Sequence, residues 1–241
     1  MKRHIPNIIT SLNLVSGCIA SYFAANANLD FALYFMLLGL LFDFFDGFTA
    51  RLLGVSSPIG KELDSLADVV TFGVTPSLML FHVLQLLLPC TGAPAFCPAR
   101  FVPYLSFAIA AYSAMRLAKF NLDTRQSHSF IGLPTPANAI FWAGITTYLN
   151  HNALTSISAP ILGATIVLLI GFSCWIMISE VPMFALKFQN FTWKDNKVRY
   201  GFLTLVVAIV IAGIALEVYA LALSLLIVLY TLISLCVRPK Q

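Results

Sequence analysis

The stretch DFFDGFTARLLGVSSPIGKELDSLAD, residues 43–68, decides how the chain must be read. It lies within and between two long apolar runs, yet it carries four aspartates, Asp43, Asp46, Asp64 and Asp68. Charge at membrane depth is costly and points to function. Taken as two helices joined by a short turn, the stretch has regular spacing. Asp43, Asp46, Gly47 and Ala50 stand at i, i+3, i+4 and i+7 on one helix face, and Gly60, Asp64 and Asp68 stand at i, i+4 and i+8 on another. Folded antiparallel, these faces bring four carboxylates together.

Such a cluster is not stable when empty and fully ionised. Two carboxylates roughly 4 to 5 Å apart repel by about 3 to 4 kcal/mol at an effective dielectric of about 20, whereas a whole domain is stable by only about 5 to 15 kcal/mol. Positive charge must complete the site. Oxygen ligands without His or Cys select magnesium, manganese or calcium over zinc, and a pair of divalent ions is a common clamp on a phosphate under displacement. Gly47, Ala50 and Gly60 leave space for a bulky ligand, and Arg51 offers a planar fork to phosphate oxygens. The competing readings are acids lining a cation or proton path, or lone acids reaching the interface. Neither requires Gly, Ala and Arg in this register.

The rest of the chain is strongly apolar. Of 241 residues, 59% are hydrophobic and 10% charged, with a mean hydropathy of +0.89. These values exclude a soluble domain and imply an all-α polytopic membrane protein. The formal net charge of +4 does not indicate nucleic acid, because the basic residues are dispersed among loops; contact with anionic membrane lipids accounts for it. Apolar runs of about 20 residues give about eight transmembrane helices, at 8–25, 30–53, 61–88, 101–119, 136–150, 160–186, 201–216 and 218–237. Connections are short and no repeat is visible, so residues 1–241 read as a single integral membrane domain. With the N-terminus inside, thirteen of the fourteen Lys and Arg fall at cytoplasmic ends or loops, leaving Arg100 outside. Both termini are then cytoplasmic, and the aspartates lie near the cytoplasmic face.

None of the five cysteines has metal-ligand spacing with histidine. Cys90 and Cys97 share one loop, which lies outside in this orientation and allows a disulfide; two small unpaired residues are the alternative. The run ending Val15-Ser16-Gly17-Cys18 has the form of a lipoprotein cleavage site. Asn7, Thr10 and Asn13 interrupt its apolar part, and their spacing of three favours a polar stripe on a first membrane helix.

The pattern D-x2-D-G-x2-A-R-x8-G-x3-D-x3-D, present at 43–68 without a gap, resembles the signature of the CDP-alcohol phosphotransferases, membrane enzymes of phospholipid synthesis. The resemblance implies a six-helix catalytic core within residues 1–200, followed by a C-terminal transmembrane hairpin at 201–237, and a homodimer. It implies that a CDP-linked lipid gives its phosphatidyl group to an alcohol and releases CMP. By the family pattern, Asp43, Asp46 and Asp64 are ligands of two divalent ions, Mg2+ or Mn2+. Asp68 borders the metal and accepts the alcohol proton, or serves as a further ligand; the two roles are compatible. Gly47, Ala50, Arg51 and Gly60 fall to the nucleotide and its phosphates. The opening run PNIITSLNLVSG is similar to the start of the same enzymes and adds Asn7, Thr10 and Asn13 to the nucleotide pocket, although such stripes also join membrane helices to one another.

Three later stretches bear on the acceptor: RLAKFN at 116–121, GLPTPA at 132–137, and VPMFALK at 181–187 followed by Trp193, Asn196, Arg199 and Tyr200. Together they resemble the integral-membrane phosphatidylserine synthases of bacteria and archaea, which implies CDP-diacylglycerol as donor and L-serine as acceptor in a bacterial or archaeal cytoplasmic membrane. A serine carboxylate needs a cationic partner, and Arg116, Lys119 and Asn121, beside the turn containing Gly132 and Pro134, are the candidates. Their alternative explanation is the cytoplasmic bias of basic residues. Lys119 stands where the family often has arginine, which keeps the charge and loses the fork. Glu180 is a helix-end carboxylate or a contact for the amine, and Lys194, Lys197 and Arg199 fit lipid headgroups. A sister enzyme using glycerol 3-phosphate or an inositol phosphate is the nearest alternative, and a cation transporter is the alternative of another class.

Overall fold

The computed structural model describes residues 4–55, 57–89, 97–123, 130–152, 159–183 and 197–236. Helix α1 spans His4–Ala25, α2 Leu29–Leu53, α3 Pro58–Asp68, α4 Thr75–Leu87, α5 Ala108–Leu122, α6 Thr135–Asn152, α7 Ala159–Ile178, α8 Lys197–Ala215 and α9 Tyr219–Cys236. A π-helical turn, Val69–Val74, joins α3 to α4, and a 3-10 segment, Pro98–Phe107, leads into α5. Two short strands, β1 (Phe130–Ile131) and β2 (Pro182–Met183), pair antiparallel.

Among the described residues these helices form eight rods, with α3 and α4 counted as one, and the rods match the eight apolar runs of the sequence in order. Five are long and apolar enough to cross a bilayer: His4–Ala25, Leu29–Leu53, Pro58–Leu87, Ala99–Leu122 and Ala159–Ile178. Tyr200–Ala215 and Tyr219–Leu235 are shorter apolar helices. Large apolar side chains cover the outside, with Leu168 at 76% and Ile161 at 72% exposure. Water would penalise such a surface, whereas lipid tails do not. The protein is an integral membrane protein.

The sixth run ends earlier than its composition suggests. Residues up to 186 read as one span, yet α7 stops at Ile178 and the chain turns into β2. The cause is a long-range contact. Gly132 adopts φ 73°, its N–H donates to the Val181 carbonyl at 2.9 Å, and the Leu133 N–H donates to the Ile176 carbonyl at 3.1 Å. A Cβ on Gly132 would stand 2.5 Å from the Met177 carbonyl oxygen, so only glycine fits between the end of α7 and this turn.

The turn between α2 and α3 is specified locally at both ends. Gly54 closes α2 in the left-handed conformation, φ 62°, with its N–H returned to the Ala50 and Arg51 carbonyls. Ser57 opens α3, its Oγ accepting from the Gly60 N–H at 3.0 Å, with Pro58 in the first turn. The reversal packs α3 against α1 and brings the two acidic faces together. The core around Leu33, Met36, Phe72, Met79, Leu84 and Trp142 lies farther along the same rods, deeper than the acidic end. The α8–α9 hairpin docks through α9 onto α6, where Gly144 admits Ser224, whose Oγ donates to the Phe141 carbonyl at 2.8 Å. Cys97 is disulfide-bonded, Cys18 and Cys174 are free, and Cys90 lies outside the described residues.

Candidate active site

The turn at Gly54–Ser57 sets Asp43 and Asp46 of α2 against Asp64 and Asp68 of α3. One carboxylate oxygen each of Asp43, Asp64 and Asp68 lies within 4.8 Å of the others. Asp46 completes the group on the open side, where it lines a cavity together with Asp64 and has Thr10 of α1 as a neighbour. The spacing leads to an expectation of four carboxylates together; the structure groups Asp43, Asp64 and Asp68, with Asp46 beside them at the cavity.

Burial makes this group costly. Asp46 and Asp68 are each 7% exposed. Asp46 Oδ2 and Asp64 Oδ1 are buried without a hydrogen-bond partner, and among the described residues no basic side chain reaches ion-pair distance of the four. An unsatisfied buried acceptor costs about 1 to 3 kcal/mol, and more if charged. Three carboxylates with hard oxygens within 4.8 Å of one another, beside the orphaned oxygens of Asp46 and Asp64, fit a divalent cation.

The adjoining cavity has a volume of about 320 Å³. Asn7 and Thr10 from α1, Asp46, Gly47 and Ala50 from α2, and Gly60 and Asp64 from α3 line it, as do Ser57 and Lys61. The two glycines have distinct effects. A Cβ on Gly47 would meet nothing nearer than Arg51 Nη1 at 3.8 Å, so this glycine keeps the cavity open. A Cβ on Gly60 would lie 3.0 Å from Asn7 Oδ1, so this one lets α3 approach α1. Arg51 is exposed and sits beside Gly47. Asn13 is fully buried and is not part of the lining; its side chain turns to Asp68 and Thr71.

Lys61 was legible in the sequence only as a cytoplasmic charge. The structure puts it in the cavity wall, its Nζ donating to the Asn121 carbonyl at 2.8 Å. Its position next to Gly60, inside the acidic stretch, was the available signal.

A second, smaller cavity of about 50 Å³ lies at the end of α5. Arg116, Lys119, Met177, Ser179 and Glu180 are among its lining residues. Arg116 is 7% exposed, its Nη1 donates to Thr135 Oγ1 at 3.2 Å, and its Nε is buried without a partner. Lys119 Nζ donates to the Ile178 carbonyl at 3.3 Å. The other three acceptor candidates lie off this lining. Asn121 Nδ2 donates to Ser65 Oγ at 2.8 Å and ties α5 to α3. Gly132 and Pro134 act through the backbone, Gly132 against α7 and Pro134 by accepting the Asn138 N–H at 3.0 Å at the start of α6.

Residues 3–186 match the model of the CDP-alcohol phosphatidyltransferases. The chain belongs to this family. The acidic stretch, both cavities and the β1–β2 turn all fall inside the matched region. The family's relatives include the CDP-diacylglycerol–serine O-phosphatidyltransferase of Bacillus subtilis, 38% identical over 134 residues, which cover 56% of this chain and 70% of that protein. The enzyme of the same name from Methanocaldococcus jannaschii is 33% identical over 159 residues, 66% of this chain and 68% of that protein. The archaetidylserine synthase of Methanothermobacter thermautotrophicus is 32% identical over 139 residues, 56% of this chain and 54% of that protein.

Proposed function

We propose that this member of the family transfers the phosphatidyl group of CDP-diacylglycerol to the hydroxyl of L-serine, giving phosphatidylserine and CMP. The observation that carries the reading is a cluster of carboxylates, Asp43, Asp64 and Asp68 with oxygens within 4.8 Å of one another and Asp46 beside them, with orphaned buried oxygens on Asp46 and Asp64 at a cavity of about 320 Å³, and the buried Arg116 with its unpaired Nε at a second cavity. The names of the relatives support serine as the acceptor.

Asp43, Asp46, Asp64 and Asp68 are the residues that would hold divalent metal, two ions of Mg2+ or Mn2+ in this reading. When bound, the metal neutralises the diphosphate and the leaving CMP. The cavity lined by Asn7, Thr10, Gly47, Ala50 and Gly60 takes the cytidine diphosphate, and Arg51 at its rim binds phosphate oxygen. The serine hydroxyl forms the new O–P bond to the phosphorus that carries diacylglycerol, the P–O bond to CMP breaks, and Asp68 takes the hydroxyl proton. Arg116 receives the serine carboxylate at its unsatisfied Nε–H, with Lys119 adding charge and Glu180 facing the amine.

The excess of basic residues at one end supports a cytoplasmic active site with both termini on that side, where nucleotide and serine are found. A catalytic core within 1–200, a docked hairpin at 201–237 and a homodimer belong to the same reading.

The test is release of CMP by the purified protein from CDP-diacylglycerol with Mg2+ or Mn2+ and a panel of acceptors. Serine supports turnover and appears in the lipid product, whereas glycerol 3-phosphate and inositol phosphate do not. Turnover with a phosphorylated acceptor in place of serine overturns the choice of acceptor, and metal flux in proteoliposomes without CMP release overturns the whole reading.

A further inference from the structure

Asp68 is the last residue of α3, and the π-helical turn that follows is the one break in an otherwise continuous rod from Pro58 to Leu87. Such insertions concentrate at functional sites because they re-aim the side chains that follow. Here Thr71 and Thr75 turn onto the same face as Asp68, toward α1. Thr71 is fully buried, and its Oγ1 donates to Asn13 Oδ1 at 2.8 Å while lying 3.2 Å from the Asn13 carbonyl. Asn13, also fully buried, donates through Nδ2 to Asp68 Oδ1 at 3.4 Å. Thr75 repeats the contact one turn on, donating to the Gly17 carbonyl at 3.2 Å.

Close backbone approach makes this possible. A Cβ on Gly17 would lie 2.9 Å from Thr71 Cα and collide with its hydroxyl, and a Cβ on Gly39 of α2 would lie 2.6 Å from Thr71 Cγ2 and 3.0 Å from Asn13 Oδ1. Glycines on two helices therefore make room for one threonine. Packing alone could be met by valine, which has the same shape. The hydroxyl adds a polarity. An amide has one accepting and one donating end, and if its oxygen is taken by Thr71, its nitrogen must face Asp68. With the amide reversed, its oxygen would face the carboxylate and repel it.

We propose that Thr71 is a positioning residue for the reaction, which fixes the Asn13 amide so that it holds one oxygen of Asp68 and leaves the other for the acceptor hydroxyl. Asn13 is then a support for Asp68 and not a nucleotide contact. The inference rests on the role given to Asp68 above, so its test includes a readout that does not need turnover.

The variants are Thr71→Val, which removes the hydroxyl and keeps the shape, and Thr71→Ser, which keeps the hydroxyl. In the full-length protein, Thr71→Val lowers kcat by about tenfold, the size expected for one buried hydrogen bond that orients a reacting group. KM for CDP-diacylglycerol stays as in the unsubstituted protein, and Thr71→Ser recovers most of the loss. In an Asp68→Asn background, Thr71→Val causes no further loss. Independently of activity, the Asn13 side-chain amide resonance, assigned by its absence in Asn13→Ala, shifts in Thr71→Val and returns toward its original position in Thr71→Ser. Unchanged kcat and amide resonance in Thr71→Val overturn the proposal, as does a serine variant as impaired as the valine one. If the unsubstituted protein releases no CMP, the assigned function fails while the amide resonance still decides whether Thr71 orients Asn13.

Discussion

Helix α2 carries aspartates at both ends, and their surroundings could hardly differ more. Asp30, in the first turn, is 30% exposed and has His151 Nε2 at 3.0 Å and Tyr219 Oη at 3.0 Å, with Tyr34 Oη 3.1 Å from Tyr219. A carboxylate at a helix N-terminus is also favoured by the helix dipole. Everything it needs comes from the protein itself. Asp43 and Asp46 stand more than three turns farther along, where Asp43 faces Asp64 and Asp68 and where Asp46 and Asp64 each keep a buried oxygen without a hydrogen-bond partner. The first end is a completed clasp that ties α2 to α6 and α9. The second is complete only when something positive is added, and that asymmetry separates a structural acid from a functional one.

Substitutions at the two ends should therefore behave oppositely. Asp64→Asn abolishes turnover, by on the order of a thousandfold, yet leaves the metal-free protein at least as thermally stable, because it relieves repulsion among like charges. A large fall in the melting temperature of metal-free Asp64→Asn would make the quartet structural and erase the contrast. Next in size, Arg116→Lys raises KM for serine by about tenfold or more through loss of the planar fork, with KM for CDP-diacylglycerol little changed. An equal rise in both constants would detach Arg116 from the acceptor.

Two smaller effects sharpen the comparison. Gly132→Ala places a side chain at φ 73° against the α7 carbonyls and should cost about 1 to 3 kcal/mol of stability, read as a lower melting temperature in detergent. At the clasp, Asp30→Asn costs no more than about 1 kcal/mol, as expected of a solvent-accessible pair, and leaves turnover intact. Loss of activity in that variant would mean that the two ends are coupled through α2.

Much of this was legible in the sequence because its causes are local. Apolar runs fix the rods, and Gly54, Ser57 and Pro58 specify the reversal that joins the acidic faces, so Asp43, Asp64 and Asp68 could be grouped from spacing alone. What escaped depends on contacts between distant residues. The end of α7 at Ile178 is set by Gly132, which lies more than forty residues earlier in the chain. The π-helical turn after Asp68 leaves no mark in composition, and it is what directs Thr71 to Asn13. Asn121 reads as a polar residue near a substrate, but its amide is committed to Ser65 of α3.

The most direct measurement is a titration of the purified protein with Mn2+, followed by electron paramagnetic resonance, with and without CDP-diacylglycerol. Saturable binding that tightens with the nucleotide lipid and disappears in Asp43→Asn is the predicted result. Absence of saturable binding even with the lipid present, or binding unchanged in Asp43→Asn, would contradict the claim that these carboxylates are completed by cations.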